Sequence, residues 1–213
     1  MQTLIPESFT EFLELLSRID LAHLPGDQAR LSMVPRLRLK EILEKGQGKD
    51  PVKSSVLFLL YPGKDHTPHT VFIQRPMYNG AHSGQISFPG GRAEPEDASV
   101  EETALREAWE ETGIDASMVK VMGRLSDLYI PPSNFLVAPV IGISGKRPQF
   151  VADPSEVESI IEVPLADLFN PDNCRITQIK LKDGLTFDTP CFQIQQHTIW
   201  GATAIIIAEL LAL

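Results

Sequence analysis

The sequence predicts an α/β (α+β) fold, an α-β-α sandwich around a mixed sheet, with an added N-terminal helical segment. Three observations predict it. Apolar residues recur at helical spacing near the N-terminus, short β-rich runs bounded by Gly and Pro fill the middle, and the last stretch is apolar almost throughout. At 213 residues, with 43% hydrophobic and 22% charged, the chain has the size and composition of one globular domain. The expected organisation is a single domain over 1–213, in which 1–50 form the helical extension and 51–213 the core.

The elements follow in order. Residues 7–19 set Phe9, Phe12, Leu13, Leu15, Leu16 and Ile19 on helical spacing after Pro6. Residues 20–50, punctuated by Pro25-Gly26 and Pro35, read as a connector with a short helix. Residues 52–61 and 70–75 are β-rich runs on either side of Pro62-Gly63-Lys64-Asp65, and read as an antiparallel pair. Residues 76–89 read as loop. Residues 99–112 are helical, and Gly113 supplies the left-handed residue that ends such a helix. Strands are expected over 119–128, 136–143 and 156–163, a short helix over 164–169, a strand pair within 186–198 and a closing helix over 200–213. Trp109 and Trp200 are expected in the core.

Charge and cysteine content exclude several classes. Lys+Arg is 19 and Asp+Glu is 28, a net charge of −9, which argues against a general nucleic-acid binder that works by releasing counterions. Cys174 and Cys191 cannot build a disulfide framework or a Cys-rich zinc site, and are expected as two buried thiols in a reducing compartment. No basic stretch followed by an apolar one marks a secretory leader, and no apolar run reaches the ~18–20 residues that cross a bilayer. The expected location is the cytoplasm, with no membrane partner. A homodimer stays open, since no exposed apolar stripe compels it.

Chemistry concentrates in Gly90-Gly91 and in the helix that carries Arg106, Glu107, Glu110 and Glu111. On a helix, Glu107, Glu110 and Glu111 stand at i, i+3 and i+4 and share a face. Carboxylates held together either rise in pKa or are neutralised by a divalent cation. All-oxygen ligands of this kind suit Mg²⁺ or Mn²⁺. A solvated helix face would account for Glu-x-x-Glu-Glu alone. The longer string does not fit that reading. Arg, three Glu and the closing Gly in this register occur by chance about once in a million windows.

These residues resemble the Nudix box, Gly-x5-Glu-x7-Arg-Glu-U-x-Glu-Glu-x-Gly-U with U bulky and apolar. Here it reads Gly91…Arg106-Glu107-Ala108-Trp109-Glu110-Glu111-Thr112-Gly113-Ile114. Fourteen residues separate Gly91 from Arg106, one more than in the general pattern, so the first box acid, if kept, is Asp97. Upstream, Arg75, Gly84 and Phe88-Pro89-Gly90-Gly91 match the signature of a coenzyme A pyrophosphatase-like branch, while Gly80 and Pro76 depart from it. Downstream, 129–135, 156–157, 163–168 and 199–204 are also similar to that branch.

The resemblance implies metal-dependent hydrolysis of a nucleoside diphosphate derivative. For the branch, that substrate is coenzyme A or its acyl derivatives, cleaved to 3′,5′-ADP and 4′-phosphopantetheine. It implies metal contacts from Gly90, Glu107, Glu110 and Glu111. It implies catalytic roles for Glu107, Glu110, Glu111 and Glu156, with the proton acceptor open among Glu110, Glu111 and Glu156. It implies ligand contacts or their support from Arg75, His82, Gly84, Gly91 and Arg106. His82 is either a substrate contact or a hydrogen-bonded loop residue, and Arg106 orients a box carboxylate. Two alternatives stay open: a pyrophosphatase for ADP-ribose, NADH or a related compound, and a catalytically silent nucleotide-binding module.

Overall fold

The computed structural model describes residues 6–37, 48–77, 83–180, 184 and 186–213. The rest of the expected N-terminal connector, 38–47, and the positions of Gly80 and His82 lie outside the described residues.

The architecture is mixed α+β, built on β1 (Val52–Pro62). This strand pairs in parallel with β7 (Phe135–Ser144), from Val52↔Phe135 to Leu60↔Ile143. Its residues 57–61 are all buried because both faces are covered. Leu57, Leu59 and Tyr61 pack on one side against Ala104 and Ala108, and Phe58 and Leu60 belong to a larger cluster on the other. A strand covered on both faces reads as a continuous apolar run.

The expected antiparallel pair is present but short. β1 meets β2 (Pro68–Gln74) at the turn, through Tyr61↔His69 and Pro62↔Pro68. Beyond it the strands splay. Most of β2 pairs with β8 (Ser159–Pro164), and the first half of β1 pairs with β4 (Gly90–Arg92), from Ser54↔Arg92 to Val56↔Gly90. Strand propensity locates a strand but not its partner. A short β3 (Ile86–Ser87) pairs antiparallel with the end of β2, while β5 (Val119–Arg124) and β6 (Leu128–Ile130) pair antiparallel with β7.

A second sheet orders β11 (His197–Trp200), β10 (Thr186–Ile194) and β9 (Cys174–Lys180). β10 and β11 are the strand pair expected within 186–198, and β9, which precedes them, was not expected. β9 is an edge strand of mostly exposed residues, so its alternation is weak. Its position also corrects the cysteines: Cys191 is buried, but Cys174 is exposed.

Helices cover the main sheet. They are α1 (Phe9–Leu16), α2 (Gly26–Arg30), α3 (Val100–Thr112), α4 (Leu165–Phe169) and α5 (Ala202–Leu210). Small residues of α3 let that helix approach β1 closely. Trp109 falls on its outer side and is 57% exposed, contrary to the expected core position. Trp200 is half-buried and meets Phe187 edge-on, with centroids 6.2 Å apart. On the opposite face α5 is buried from Thr203 to Leu210, which explains why it is apolar all round. Phe9, Phe12 and Leu16 of α1 join the same cluster. No helix among the described residues is long and apolar enough to cross a membrane.

One charge is buried in α5. Glu209 is wholly buried and pairs with Arg30 of α2, itself 3% exposed. Ser126 Oγ donates to Glu209 Oε1 at 2.6 Å, and Arg30 donates to the carbonyls of Ser126 and Asp127. Removing one partner strands the other charge in the core. Arg30→Ala is therefore expected to cost about 3–5 kcal/mol in urea unfolding, and Arg30→Met combined with Glu209→Leu to recover most of it. A double variant no more stable than Arg30→Ala would contradict this account.

Candidate active site

Helix α3 starts and stops on local signals. The Ser99 side chain accepts from the Glu102 N–H at 3.2 Å, and Glu102 Oε2 accepts in return from the Ala98 N–H at 2.7 Å. At the other end Gly113 takes φ +70° and its N–H reaches the Trp109 carbonyl at 2.8 Å. These caps hold in register the turns that carry Glu107, Glu110 and Glu111.

Strand β4 then passes close under the helix. The Gly90 N–H donates to Glu111 Oε2 at 2.8 Å. Gly90 has φ +153°, and a Cβ there would run into the Ser55 carbonyl. A Cβ on Gly91 would lie 2.5 Å from Glu107 Oε2. Gly90 is thus required by close approach to backbone, while a side chain on Gly91 would displace the Glu107 carboxylate. Gly84 lies in the preceding turn at φ +69°, where a Cβ would press on Met77 Sδ.

A third carboxylate arrives from far along the chain. The Val151 N–H donates to the Thr112 carbonyl at 2.9 Å, and the Asp153 N–H to that of Glu111 at 3.0 Å. These bonds pin the following turn to the end of α3. Glu156 in that turn joins Glu107 and Glu111, with one carboxylate oxygen from each lying within 4.8 Å of the others. The group brought together is therefore Glu107, Glu111 and Glu156. Glu110 stands apart from it: its carboxylate accepts from Arg106 Nη1 at 2.9 Å and is half-exposed.

The electrostatics differ across the group. Burial pushes the Glu111 carboxyl up to about 7, against the opposing pull of Arg75 and the Gly90 N–H. Burial also raises Glu107, partly offset by Arg106. Glu156 is exposed. Arg75 Nη2 donates to the Gly90 carbonyl at 2.9 Å and lies 3.5 Å from Glu111 Oε1. The carbonyl expected to face a metal is thus held here by Arg75.

Arg106 is a brace. It grips Asp97 with two parallel bonds of 3.0 Å, and also donates to Glu107 Oε1 at 3.1 Å and to the Arg92 carbonyl at 3.0 Å. Asp97 Oδ2 accepts further from the Glu94 N–H and from Thr103 Oγ1, each at 2.9 Å. Asp97 therefore ties the loop to the helix and holds Arg106, and does not join the converging carboxylates.

Residues 51–182 match the NUDIX domain family, and the chain belongs to it. It is a Nudix pyrophosphohydrolase, an enzyme class acting on nucleoside diphosphate derivatives and generally using divalent metal ions. It is 36% identical over 143 residues to the uncharacterized Nudix hydrolase NudL of Photorhabdus laumondii subsp. laumondii, covering 67% of this chain and 75% of that protein. It is 34% identical over 143 residues to the NudL of Yersinia pestis (strain Pestoides F), covering 67% and 71%. A solved MutT NUDIX hydrolase from Burkholderia pseudomallei superposes with a TM-score of 0.47 at 16% identity, covering 76% of this chain and 99% of that one.

Arg106 holds the Asp97 carboxyl far below the usual carboxylate range, helped by the Glu94 N–H and Thr103. An acid whose folded pKa is depressed stabilises the fold above its unfolded pKa of about 3.9. That contribution is lost as pH falls through the folded value. Asp97→Asn is expected to lower stability by about 1.5–3 kcal/mol at neutral pH. The gap from wild type should narrow in urea unfolding below about pH 4. A gap that is equal at pH 7 and pH 3 would rule the ionic account out.

Proposed function

We propose that this chain hydrolyses the pyrophosphate bond of coenzyme A or its acyl derivatives, with Mg²⁺ or Mn²⁺, giving 3′,5′-ADP and (acyl-)4′-phosphopantetheine. The convergence of Glu107, Glu111 and Glu156 beside Arg75 carries the reaction class. Arg75, Gly84 and Phe88-Pro89-Gly90-Gly91 at the branch's spacing support coenzyme A. Gly80, where that signature has an Arg, favours a second reading. ADP-ribose and NADH lack the coenzyme's 3′-phosphate and need one anion contact fewer.

The donor set fits a hard divalent cation. Three carboxylates converge, one of them 1% exposed, and a buried acid raised to about 7 is a charge short of neutralisation. Glu107 and Glu111 would hold the ion. When bound, it supplies charge neutralisation at the phosphate oxygens and makes water more acidic.

The chain's own residues do the rest. The Gly90 N–H fixes the Glu111 carboxylate, and Arg106 fixes Glu107. Arg75 lines the cavity beside them and presents its guanidinium to a substrate phosphate. The exposed Glu156 takes the proton from the attacking water as general base. The water oxygen bonds to phosphorus as the bridging P–O bond breaks, and the bridge oxygen leaves with the departing phosphate.

Coenzyme A, ADP-ribose and NADH, each incubated with the protein and Mg²⁺ or Mn²⁺, would be resolved by mass spectrometry. Dominant 3′,5′-ADP and phosphopantetheine are expected. Cleavage of ADP-ribose or NADH alone would sink the coenzyme A reading and leave the second.

In steady-state kinetics Glu111→Gln and Glu156→Gln should each lower kcat by at least ~10²-fold. Glu110→Gln should stay within about fivefold, since an exposed ion pair contributes little. A Glu110→Gln loss as large as that of Glu111→Gln would return Glu110 to the reacting centre.

A further inference from the structure

On the face of the sheet that carries α5, behind β4, lies a cavity of about 350 Å³. Its walls are largely apolar, with Val56, Phe88, Phe135 and Ile206 among them. Its only ionisable lining residues among those described are Arg75 and Arg92. Two cations and no acid, in a chain of net charge −9, make this a place for an anion.

The two arginines are not equivalent. Arg75 is committed to the acidic cluster: it donates to the Gly90 carbonyl and lies 3.5 Å from Glu111 Oε1. Arg92 is exposed, and its side chain makes no hydrogen bond or ion pair among the described residues. Its backbone, by contrast, is fixed. Arg92 pairs with Ser54 of β1, and its carbonyl accepts from Arg106 Nη2 at 3.0 Å. Successive side chains on a strand point to opposite faces. A side chain on Gly91 would meet Glu107, on the α3 face, so Arg92 is directed to the other face, where the cavity lies.

We propose that Arg92 is a specificity residue that binds a second phosphate of the substrate, separated from the pyrophosphate bridge by a sugar. This deepens the pyrophosphatase reading above and rests on it. The two phosphorus atoms of the bridge share an oxygen, so both stay beside Arg75 and the acids. Arg92 leaves β4 two residues beyond Gly90, about 7 Å along the strand. A cation there, unpaired with Glu107, Glu111 or Glu156, meets a phosphate that is not part of the bridge. Coenzyme A carries such a group, the 3′-phosphate of its ribose; ADP-ribose and NADH do not. Arg92 thus supplies a cation in a chain that has Gly80 where the branch signature has an Arg. A guanidinium suits a terminal phosphate, which offers two oxygens to its parallel N–H donors.

The test compares coenzyme A with 3′-dephospho-coenzyme A, which has the same bridge and lacks the 3′-phosphate. Steady-state kcat/KM with Mg²⁺ would be measured for both on wild type, Arg92→Gln and Arg92→Lys. Wild type should prefer coenzyme A. Arg92→Gln should reduce that preference by roughly tenfold, through KM, the worth of one charge-assisted contact. Arg92→Lys, which keeps the charge, should retain most of it. Calorimetric titration of the same proteins with 3′,5′-ADP and 5′-AMP reads binding without cleavage. Wild type should bind 3′,5′-ADP more tightly than 5′-AMP, and Arg92→Gln should level the two.

An unchanged preference in Arg92→Gln would overturn the proposal. So would an equal loss on both substrates, which would put Arg92 on the bridge instead. The two readings fail separately. Cleavage of coenzyme A with a preference that ignores Arg92→Gln keeps the catalytic reading and removes this one. A chain that cleaves neither compound, yet prefers 3′,5′-ADP through Arg92, loses the catalytic reading and keeps this one.

Discussion

The closest approach between helix and sheet governs this molecule. The Gly90 N–H reaches Glu111 across a gap that no side chain on β4 can occupy, with the Ser55 carbonyl behind Gly90 and the Glu107 carboxylate over Gly91. That approach needs Ala104 and Ala108 on the inner face of α3, where larger residues would lift the helix off β1. It also needs β1 and β2 to part, so that β4 can take the edge of β1 beside Ser54 and Val56. Packing, register and glycine placement thus serve a single contact, which sets one carboxylate in a buried position it would not otherwise hold.

Like charges so close together are tolerated because the two arginines divide the work. Arg106 binds Asp97, Glu107 and Glu110 on the outer flank, and Arg75 offsets Glu111 on the inner one. The division also shows why helical spacing alone does not pick out the carboxylates that lie nearest one another here. Glu110 shares a face with Glu107 and Glu111, but it also stands four residues after Arg106, and the i, i+4 ion pair turns it aside. Glu156 lies beside Glu107 and Glu111 instead, and its approach depends on the backbone bonds from Val151 and Asp153 to the end of α3.

Legibility in the sequence follows the range of the interactions. Helix α3 could be read almost to the residue, because Ser99 and Gly113 act within a turn of the ends they cap. The strands β1, β7 and β10 could be located from local composition. Their partners could not, since the pairing of β2 with β8 joins positions some ninety residues apart. Arg75 and Gly90-Gly91 were readable as candidates, but their mutual contact was not.

Strand β4 separates two kinds of physics. On the α3 side the constraints are ionic and tight: the acids, Arg75 and Arg106 hold one another, and a change in any of them unbalances the rest. On the α5 side the constraints are those of shape, set by residues such as Val56, Phe135 and Ile206 that belong to or pack on the larger apolar cluster. A substitution at Phe135 or Ile206 reshapes the cavity without removing any contact that positions Glu107, Glu111 or Glu156. The fold therefore lets the shape of the cavity vary independently of the carboxylate cluster. Arg75, which lines the cavity and faces Glu111, is where the two sides meet.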